Sequence, residues 1–404
     1  MIRNVCSIPE KWQVAPSARF AFPEGMVWND VTLREGEQTP GVSLTMDEKY
    51  ELARRLDSFG VTQLQLPRLS AKAENREFVR TVIDMGLKCQ TEIMIVGMDN
   101  PKWKEDVDDA DSFGPTTLHL SFRTSSFKQT WTQERRESWY ALIPEMIAYC
   151  KAKGKLVDIS FTDATRADFD FLMNLIHVAA HAGADRIHVC DSKGVGTPLT
   201  MYSLVWNAVR AASPYGAIIG VHCHDDGGLA VANTLACIHA GARLLDLSVN
   251  GIGDRCGNAC LLETAATLEL LYGCTTGLDL SQLTSLSQYV EKITCVPTSP
   301  LKPYVGTNAF TESVASHAAE VLEGTLEGYP FDPAVVGSSY KAGYGRLTNA
   351  RVIELTAKKA GRPIPPEAYK RIIARLSDVA LASKGKALYE SDFWAVVDDC
   401  LKGE

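Results

Sequence analysis

The feature that most constrains this sequence is a run of eight short apolar segments, each followed by a segment with helical spacing. The apolar segments are rich in Val, Ile, Leu and aromatic residues, as expected of strands buried in a parallel sheet. Eight such units in succession are typical of a (β/α)8 barrel, which commonly takes about 250 residues. A doubly wound sheet would also be expected to have a glycine-rich phosphate turn after its first strand, and this sequence has none there.

The pattern changes after the eighth unit, where helical segments alternate with a connector rich in Pro and Gly, "VPTSPLKPYVGTNAF". We therefore predict an α/β TIM barrel over residues 1–275, followed by a helical linker, lid and C-terminal helical region over 276–404.

Composition excludes several classes of function. The net charge is −8 and there is no basic run, so a nucleic-acid partner is not expected. No stretch of about 18 apolar residues predicts a membrane span, and the first residues lack the apolar core of a signal peptide. The 11 cysteines are scattered along the chain, which favours reduced thiols and a cytoplasmic location.

Polar side chains cluster directly after the predicted strands, where barrel enzymes carry their chemistry. His222 and His224 are two apart at the end of the seventh strand, so their side chains are expected on one face. The first strand ends in "DVTLREGEQTPG", which offers Asp30 as a third ligand and Arg34 as a cation for an oxyanion. Two imidazoles and one carboxylate suit a catalytic divalent ion with open coordination positions.

Three blocks of the sequence resemble the signature blocks of the DRE-TIM metallolyase family. They are "DVTLREGEQTPG", "VHCHDDGGLAVANTLA" and "NGIGDRCGNACLLE", and they follow the first, seventh and eighth strands in the family's order. The resemblance is greatest to the Claisen-condensing branch, which contains the 2-isopropylmalate, homocitrate and citramalate synthases. It implies an acyltransferase that condenses acetyl-CoA with a 2-oxo acid to give a 2-substituted malate and CoA.

The resemblance also implies roles for individual residues. A divalent ion (Mg2+, Mn2+ or Zn2+) would be held by Asp30, His222, His224 and Asn258. The catalytic residues would be Arg34 at the keto oxygen, Glu35 beside it, Asp163, and His317 as an acid/base from the lid of a homodimer with exchanged lids. Substrate-binding residues would be Gln38, Gln65, Arg68, Arg166 and Thr197.

Some positions depart from the family pattern. Gln65 and Thr162 stand where relatives have Glu. In place of the Glu at 162, either Asp163 takes over its acid/base work or the mechanism relies on a water. Arg68 is an added cation, and either it selects an acidic 2-oxo acid such as phosphonopyruvate or it faces solvent. His119 and His188 lie within apolar strands and are expected to be core residues rather than ligands.

Two alternatives remain open at this point. The first is a metal-dependent lyase or aldolase of the hydroxymethylglutaryl-CoA lyase type, for which Cys256 would be the candidate thiol. The second is a relative that binds metal and ligand without turnover, which the changes at Gln65 and Thr162 suggest.

Overall fold

A closed barrel of eight parallel strands forms the centre of the N-terminal region, so the predicted fold class is confirmed. The computed structural model describes residues 22–70, 73–96, 100–128, 130–326 and 331–402; the predicted domain's first 21 residues lie outside them. The strands are β1 Val27–Asp30, β2 Gln63–Leu66, β3 Gln90–Val96, β4 Thr117–Arg123, β5 Leu156–Thr162, β6 Arg186–Asp191, β7 Ile218–Cys223 and β8 Leu244–Leu247. The barrel closes where β1 pairs with β8, with Val27 opposite Leu244.

Helices follow the strands in the alternation that the sequence predicts. In the described residues they are α1 Thr32–Glu35, α2 Met46–Phe59, α3 Ala73–Asp84, α4 Trp103–Asp111, α5 Gln133–Lys151, α6 Phe169–His181, α7 Pro198–Ala212, α8 Ala230–His239, α9 Leu261–Leu270 and α10 Leu283–Thr294. The boundaries of α2 show how local sequence sets them. Thr45 and Glu48 form a reciprocal capping box at its start, and Gly60 ends it with a φ of 101° that suits glycine.

The first strand is shorter than the sequence predicts. The segment "MVWNDVTL" predicts a strand over 26–33. In the structure β1 ends at Asp30, because its carboxylate accepts hydrogen bonds from the backbone N–H and hydroxyl of Thr32. This local turn starts α1, a single helical turn that carries Arg34 and Glu35. The residues after the strand therefore lie on a short helix at the barrel rim.

The barrel interior is polar. Leu64 and Leu66 of β2 alternate with Gln63 and Gln65, and all four are fully buried. Hydrogen bonds between strands that are not neighbours, such as that from Arg186 to Gln63, cross the interior and show which side chains point inward. The buried polar residues of this interior are Asn29, Gln63, Gln65, Glu92, His119, Asp158, Arg186, His188 and Asp246.

The described residues divide into two compact units. The first holds residues 22–280 and 285–296, and the second holds residues 281–284 and the described part of 297–402. The predicted boundary after residue 275 stays a prediction. The second unit contains the two-residue strands β9 Thr311–Glu312 and β10 Lys341–Ala342, and the helices α11 Ala315–Glu323, α12 Ala350–Lys359, α13 Tyr369–Ala382 and α14 Glu390–Lys402.

The second unit has its own apolar core. Ile353 of α12, Ile372 of α13 and Phe393 of α14 are all fully buried in it, and Tyr344 stacks on Phe393 with ring centroids 4.7 Å apart. None of the described helices, in either unit, has the length and apolarity needed to cross a bilayer. Each described cysteine is a free thiol.

Candidate active site

A cavity of about 310 Å³ opens at the carboxyl-terminal ends of the barrel strands. Its wall carries five basic side chains, Arg34, Arg68, Arg123, Lys193 and Arg255. It also carries Gln38, His119, Ser160, Thr162, His222 and His224, together with four carboxylates, Glu35, Asp163, Asp246 and Asp254. The wall thus has one more basic side chain than carboxylates, which favours an anionic ligand.

Two imidazoles and one carboxylate converge at this cavity. The Nε2 atoms of His222 and His224 lie 3.3 Å apart, which confirms that residues two apart at the strand end share a face. A carboxylate oxygen of Glu35 lies 3.9 Å from Nε2 of His222. All three residues are buried, and one candidate ligand atom from each lies within 4.8 Å of the others. These three residues form a group that could hold a divalent ion.

Backbone and side-chain acceptors orient both imidazoles. Nδ1 of His224 lies 3.2 Å from the carbonyl oxygen of Gly257, and Nδ1 of His222 lies 3.3 Å from a carboxylate oxygen of Asp246. Each imidazole therefore turns its Nε2 toward the candidate ion site, as metal-binding histidines commonly do. Burial and the neighbouring His222 lower the pKa of His224 to about 3, which keeps its imidazole neutral.

Two orphaned buried oxygens support a cation at this place. Oε2 of Glu35 and Oδ1 of Asn258 are buried and have no hydrogen-bond partner among the described residues. Asn258 lies beside His224 because the two backbones form an isolated β-bridge. An unpartnered buried oxygen is costly unless an ion or a ligand satisfies it. The donor set therefore fits a divalent ion.

The structure does not bring Asp30 into this group. Asp30 is fully buried, and its two oxygens lie 2.9 and 2.8 Å from the backbone nitrogen and hydroxyl of Thr32. Burial raises its pKa to about 7 despite these hydrogen bonds. Glu35, not Asp30, is the carboxylate beside the histidine pair, and a ligand role for Asp30 stays a prediction.

Arg34 lies on the cavity wall and is held from two sides. Its guanidinium donates to the carboxylate of Glu35 and to the side-chain carbonyl of Gln65. Gln65 in turn donates to Glu92 across 2.9 Å. Gln65 is fully buried and is absent from the cavity wall, and its role as a substrate-binding residue stays a prediction.

Asp163 and Arg166 form an ion pair with each other. The guanidinium of Arg166 donates to both carboxylate oxygens of Asp163, across 2.7 and 2.6 Å, and Ser125 donates to the same carboxylate. Burial alone would raise the pKa of Asp163, but the hydrogen bonds from Arg166 and Ser125 lower it overall. Asp163 is on the cavity wall and Arg166 is not. Arg166 is therefore committed to Asp163, and its role as a substrate-binding residue stays a prediction.

The remaining predicted residues lie in different surroundings. Gln38 and Arg68 are on the cavity wall, and the guanidinium of Arg68 forms no hydrogen bond or ion pair with any described residue. Thr197 caps α7, since its hydroxyl accepts from the backbone N–H of Thr200, and it is absent from the wall; its role in substrate binding stays a prediction. His317 belongs to the second unit, where its Nδ1 lies 3.3 Å from the carboxylate of Glu312.

Sequence reasoning missed the interior residues that support the site. Glu92 accepts from Asn29, Gln63 and Gln65 and pairs with His119, and Asp246 contacts His222. A signal was available, because Gln63 and Gln65 alternate with leucines along β2 and so mark one polar face. Which partners meet depends on the order and register of the strands, which no single strand encodes.

Comparisons with known proteins show which family the chain belongs to. The HMGL-like family matches residues 26–290. The chain is 35% identical over 383 residues to a 2-isopropylmalate synthase of Methanocaldococcus jannaschii, covering 94% of this chain and 72% of that protein. It is 33% identical over 385 residues to the homocitrate synthase AksA of Methanopyrus kandleri, covering 94% of each. It is also 35% identical to a putative (R)-citramalate synthase of the same organism, covering 92% of this chain and 72% of that protein.

Solved structures share the fold. A hydroxymethylglutaryl-CoA lyase from Pseudomonas aeruginosa matches with a TM-score of 0.56 at 16% identity, covering 71% of this chain and 97% of that chain. At this identity the match supports the barrel fold alone.

Proposed function

Because the chain belongs to the HMGL-like family, we propose that it condenses acetyl-CoA with a 2-oxo acid to give a 2-substituted malate and free CoA. Relatives at 33–35% identity over more than nine-tenths of this chain are named 2-isopropylmalate, citramalate and homocitrate synthases. The observation that carries the proposal is the convergence of His222, His224 and Glu35 beside Arg34 in one cavity.

The residues fit the parts of this reaction. A divalent ion held by the two histidines with Glu35, Asn258 or Asp30 would act as a Lewis acid on the ketone of the 2-oxo acid. Arg34 is rigidly held, so its guanidinium is preorganised to stabilise negative charge that develops on the keto oxygen. Hydrolysis of the thioester after carbon–carbon bond formation would make the overall reaction favourable.

The finer proposal is that the 2-oxo acid carries a second anionic group. The cavity wall has five basic side chains, and the guanidinium of Arg68 has no partner among the described residues. A carboxylate or phosphonate on the substrate side chain would provide one. Phosphonopyruvate and 2-oxoglutarate are both of this class.

Two side chains are the candidates for the proton transfers of the reaction. Asp163 lies on the cavity wall at the end of β5, beside Thr162, and it is the candidate acid/base in place of the family's Glu. His317 is proposed as a second acid/base, supplied by the lid of a homodimer. Light scattering coupled to size exclusion tests the dimer. The free thiols accord with a proposed cytoplasmic location.

The lyase alternative has less support. Cys256, its candidate thiol, is exposed and is absent from the cavity wall. A hydroxymethylglutaryl-CoA lyase of known structure is 20% identical to this chain, whereas the 2-isopropylmalate synthase of Methanocaldococcus jannaschii is 35% identical.

The proposal is tested by a substrate panel. The metal-loaded chain is incubated with acetyl-CoA and pyruvate, 2-oxoisovalerate, 2-oxoglutarate, oxaloacetate, phosphonopyruvate or phenylpyruvate, and products are identified by mass spectrometry. A 2-substituted malate from an acidic member is the expected result. If only 2-oxo acids with neutral side chains give a product, the finer proposal is refuted. Cleavage of a hydroxyacyl-CoA without condensation would favour the lyase.

A further inference from the structure

A second group of metal-ligand side chains lies inside the barrel, apart from the His222 and His224 pair. It consists of His119 on β4, Asp158 on β5 and His188 on β6, and we call it the interior cluster. All three residues are essentially inaccessible, and one candidate ligand atom from each lies within 4.8 Å of the others. We propose that the interior cluster binds a second divalent metal ion.

The orientation of the two imidazoles is the first argument. Nδ1 of His188 lies 3.0 Å from a carboxylate oxygen of Asp246, and Nδ1 of His119 contacts the carboxylate of Glu92. Each histidine thus directs one nitrogen to a carboxylate and keeps Nε2 for another partner. A carboxylate that fixes the far nitrogen of a ligating histidine is the usual arrangement around protein-bound metals.

Unsatisfied atoms give the second argument. Nε2 of His119 and Oδ1 of Asp158 are buried and have no hydrogen-bond partner in the described part of the chain. Nε2 of His188 lies 3.3 Å from the other oxygen of Asp158, and the two imidazole centroids are 4.6 Å apart. Buried polar atoms without partners are rare because each costs about 1–3 kcal/mol. A cation bound by both imidazoles and Asp158 would satisfy these atoms.

Charge balance gives the third argument. Glu92, Asp158 and Asp246 are buried carboxylates around this cluster, whereas Arg186 is the basic residue beside it. Arg186 lies 3.5 Å from Asp158, but its guanidinium also donates to two glutamine side chains. When both imidazoles are neutral, as metal ligands are, one guanidinium leaves two negative charges, and a divalent ion would neutralise both.

Protons compete with a metal ion for the interior cluster. Burial alone would lower the pKa of His188, but the charges of Asp246 and Asp158 outweigh it and raise it to about 10. The same two carboxylates attract a divalent ion, with twice the charge of the proton. The interior cluster therefore has two candidate states, a protonated one and a metal-bound one, and metal counting distinguishes them.

Access and ligand type indicate which ion would bind. His119, Ser160 and Asp246 lie on the wall of the active-site cavity, so an ion can reach the cluster from there. Two imidazoles with one carboxylate favour ions such as Zn2+, Co2+ or Fe2+ over Mg2+ and Ca2+. One oxygen of Asp246 contacts His188 and, across 3.3 Å, His222, so the two sites would share a carboxylate.

Metal counting tests the inference without any assay of activity. The full chain is stripped with a chelator, dialysed against Zn2+ and analysed for bound zinc. We expect two ions per chain in the wild type, one in His119→Gln or Asp158→Asn, and one in the His222→Gln/His224→Gln double variant. His181→Gln, at an exposed histidine of α6, is the matched control and should keep two. One ion or none in the wild type would overturn the inference, as would two in His119→Gln.

Anomalous diffraction of zinc-soaked wild-type crystals provides a test that requires no variant to fold. A peak between His119, Asp158 and His188 is expected. A peak at His222 and His224 with none at the interior cluster would overturn the inference. A chain that binds two zinc ions and condenses no 2-oxo acid would refute the proposed function and leave the interior site standing.

Discussion

The two histidine pairs of the barrel differ in how the sequence brings them together. His222 and His224 are two residues apart at the end of β7, so strand geometry alone makes them neighbours. His119 and His188 lie within β4 and β6, 69 positions apart in the chain, and meet because both strands pair with β5 in the curved sheet. The first pair borders the cavity with Arg34, and the second belongs to a buried polar network. The local sequence therefore determines a site at strand ends, whereas the order of the strands in the sheet determines a site in the interior.

Removal of the Glu92 side chain is expected to have the largest effect on the interior polar network. Asn29, Gln63 and Gln65 all donate to its carboxylate, and His119 pairs with it. In Glu92→Leu these donors lose their acceptor, so we expect the free energy of unfolding to fall by about 3–5 kcal/mol. Urea denaturation followed by circular dichroism measures the change.

Glu105→Leu, at a highly exposed glutamate of α4, is the matched control for this substitution and should change stability little. Equal stability of Glu92→Leu and the wild type would show that the interior network does not hold the barrel together.

At the rim of the barrel, substitution of Arg34 is expected to have the largest effect on activity. Arg34→Gln removes the cation nearest the predicted keto oxygen, so we expect kcat to fall by about 10²–10³-fold with a smaller change in KM. Arg34→Lys should recover only part of this loss, because a lysine cannot donate to Glu35 and Gln65 together in the same planar geometry. Steady-state kinetics of free CoA release give both constants.

Arg54→Gln, at an exposed arginine of α2, controls for loss of a surface charge and should leave kcat unchanged. If Arg34→Gln retains the wild-type kcat, Arg34 stabilises the fold rather than the reaction.

Arg68 is expected to determine whether the enzyme prefers an acidic 2-oxo acid. We expect Arg68→Gln to raise KM for an acidic 2-oxo acid by about tenfold, equivalent to about 1.4 kcal/mol, and to leave KM for pyruvate unchanged. The reason is that the guanidinium would contact only the distal anion. A parallel rise for both substrates would show that Arg68 acts on the cavity as a whole.

Substitution of Asp163 is expected to have the smallest effect on stability, and this effect depends on pH. Its pKa is lowered in the folded protein, so its ion pair with Arg166 stabilises the fold above the unfolded value near 3.9, and this stabilisation is lost as the pH falls below it. Asp163→Asn should therefore lower stability by about 1 kcal/mol at pH 7 and by less at pH 3. Thermal melts at the two pH values check this, and an equal loss at both would show that the ion pair contributes nothing.

Much of the fold was predictable because its signals are local. The eight strand–helix units, the cap at Thr45 and the shared face of His222 and His224 each depend on residues close in sequence. The early end of β1 was not predicted, because it depends on the side chain of Asp30 bonding to Thr32. The partners of Gln65 were not predicted either, since Arg34 reaches it from α1, directly after the neighbouring strand β1, and Glu92 from the neighbouring strand β3, and the register of these strands depends on how the sheet assembles.

The central claim is that a metal ion at His222 and His224, beside Arg34, makes this chain a condensing enzyme. The most direct test measures free thiol release from acetyl-CoA and phosphonopyruvate or 2-oxoglutarate, with the metal-loaded chain, the chelator-treated chain and the His222→Gln/His224→Gln variant. The account predicts thiol release that depends on the 2-oxo acid, disappears with chelator, returns on adding metal, and falls at least about 1,000-fold in the double variant. Thiol release that persists at the wild-type rate in the double variant would contradict it.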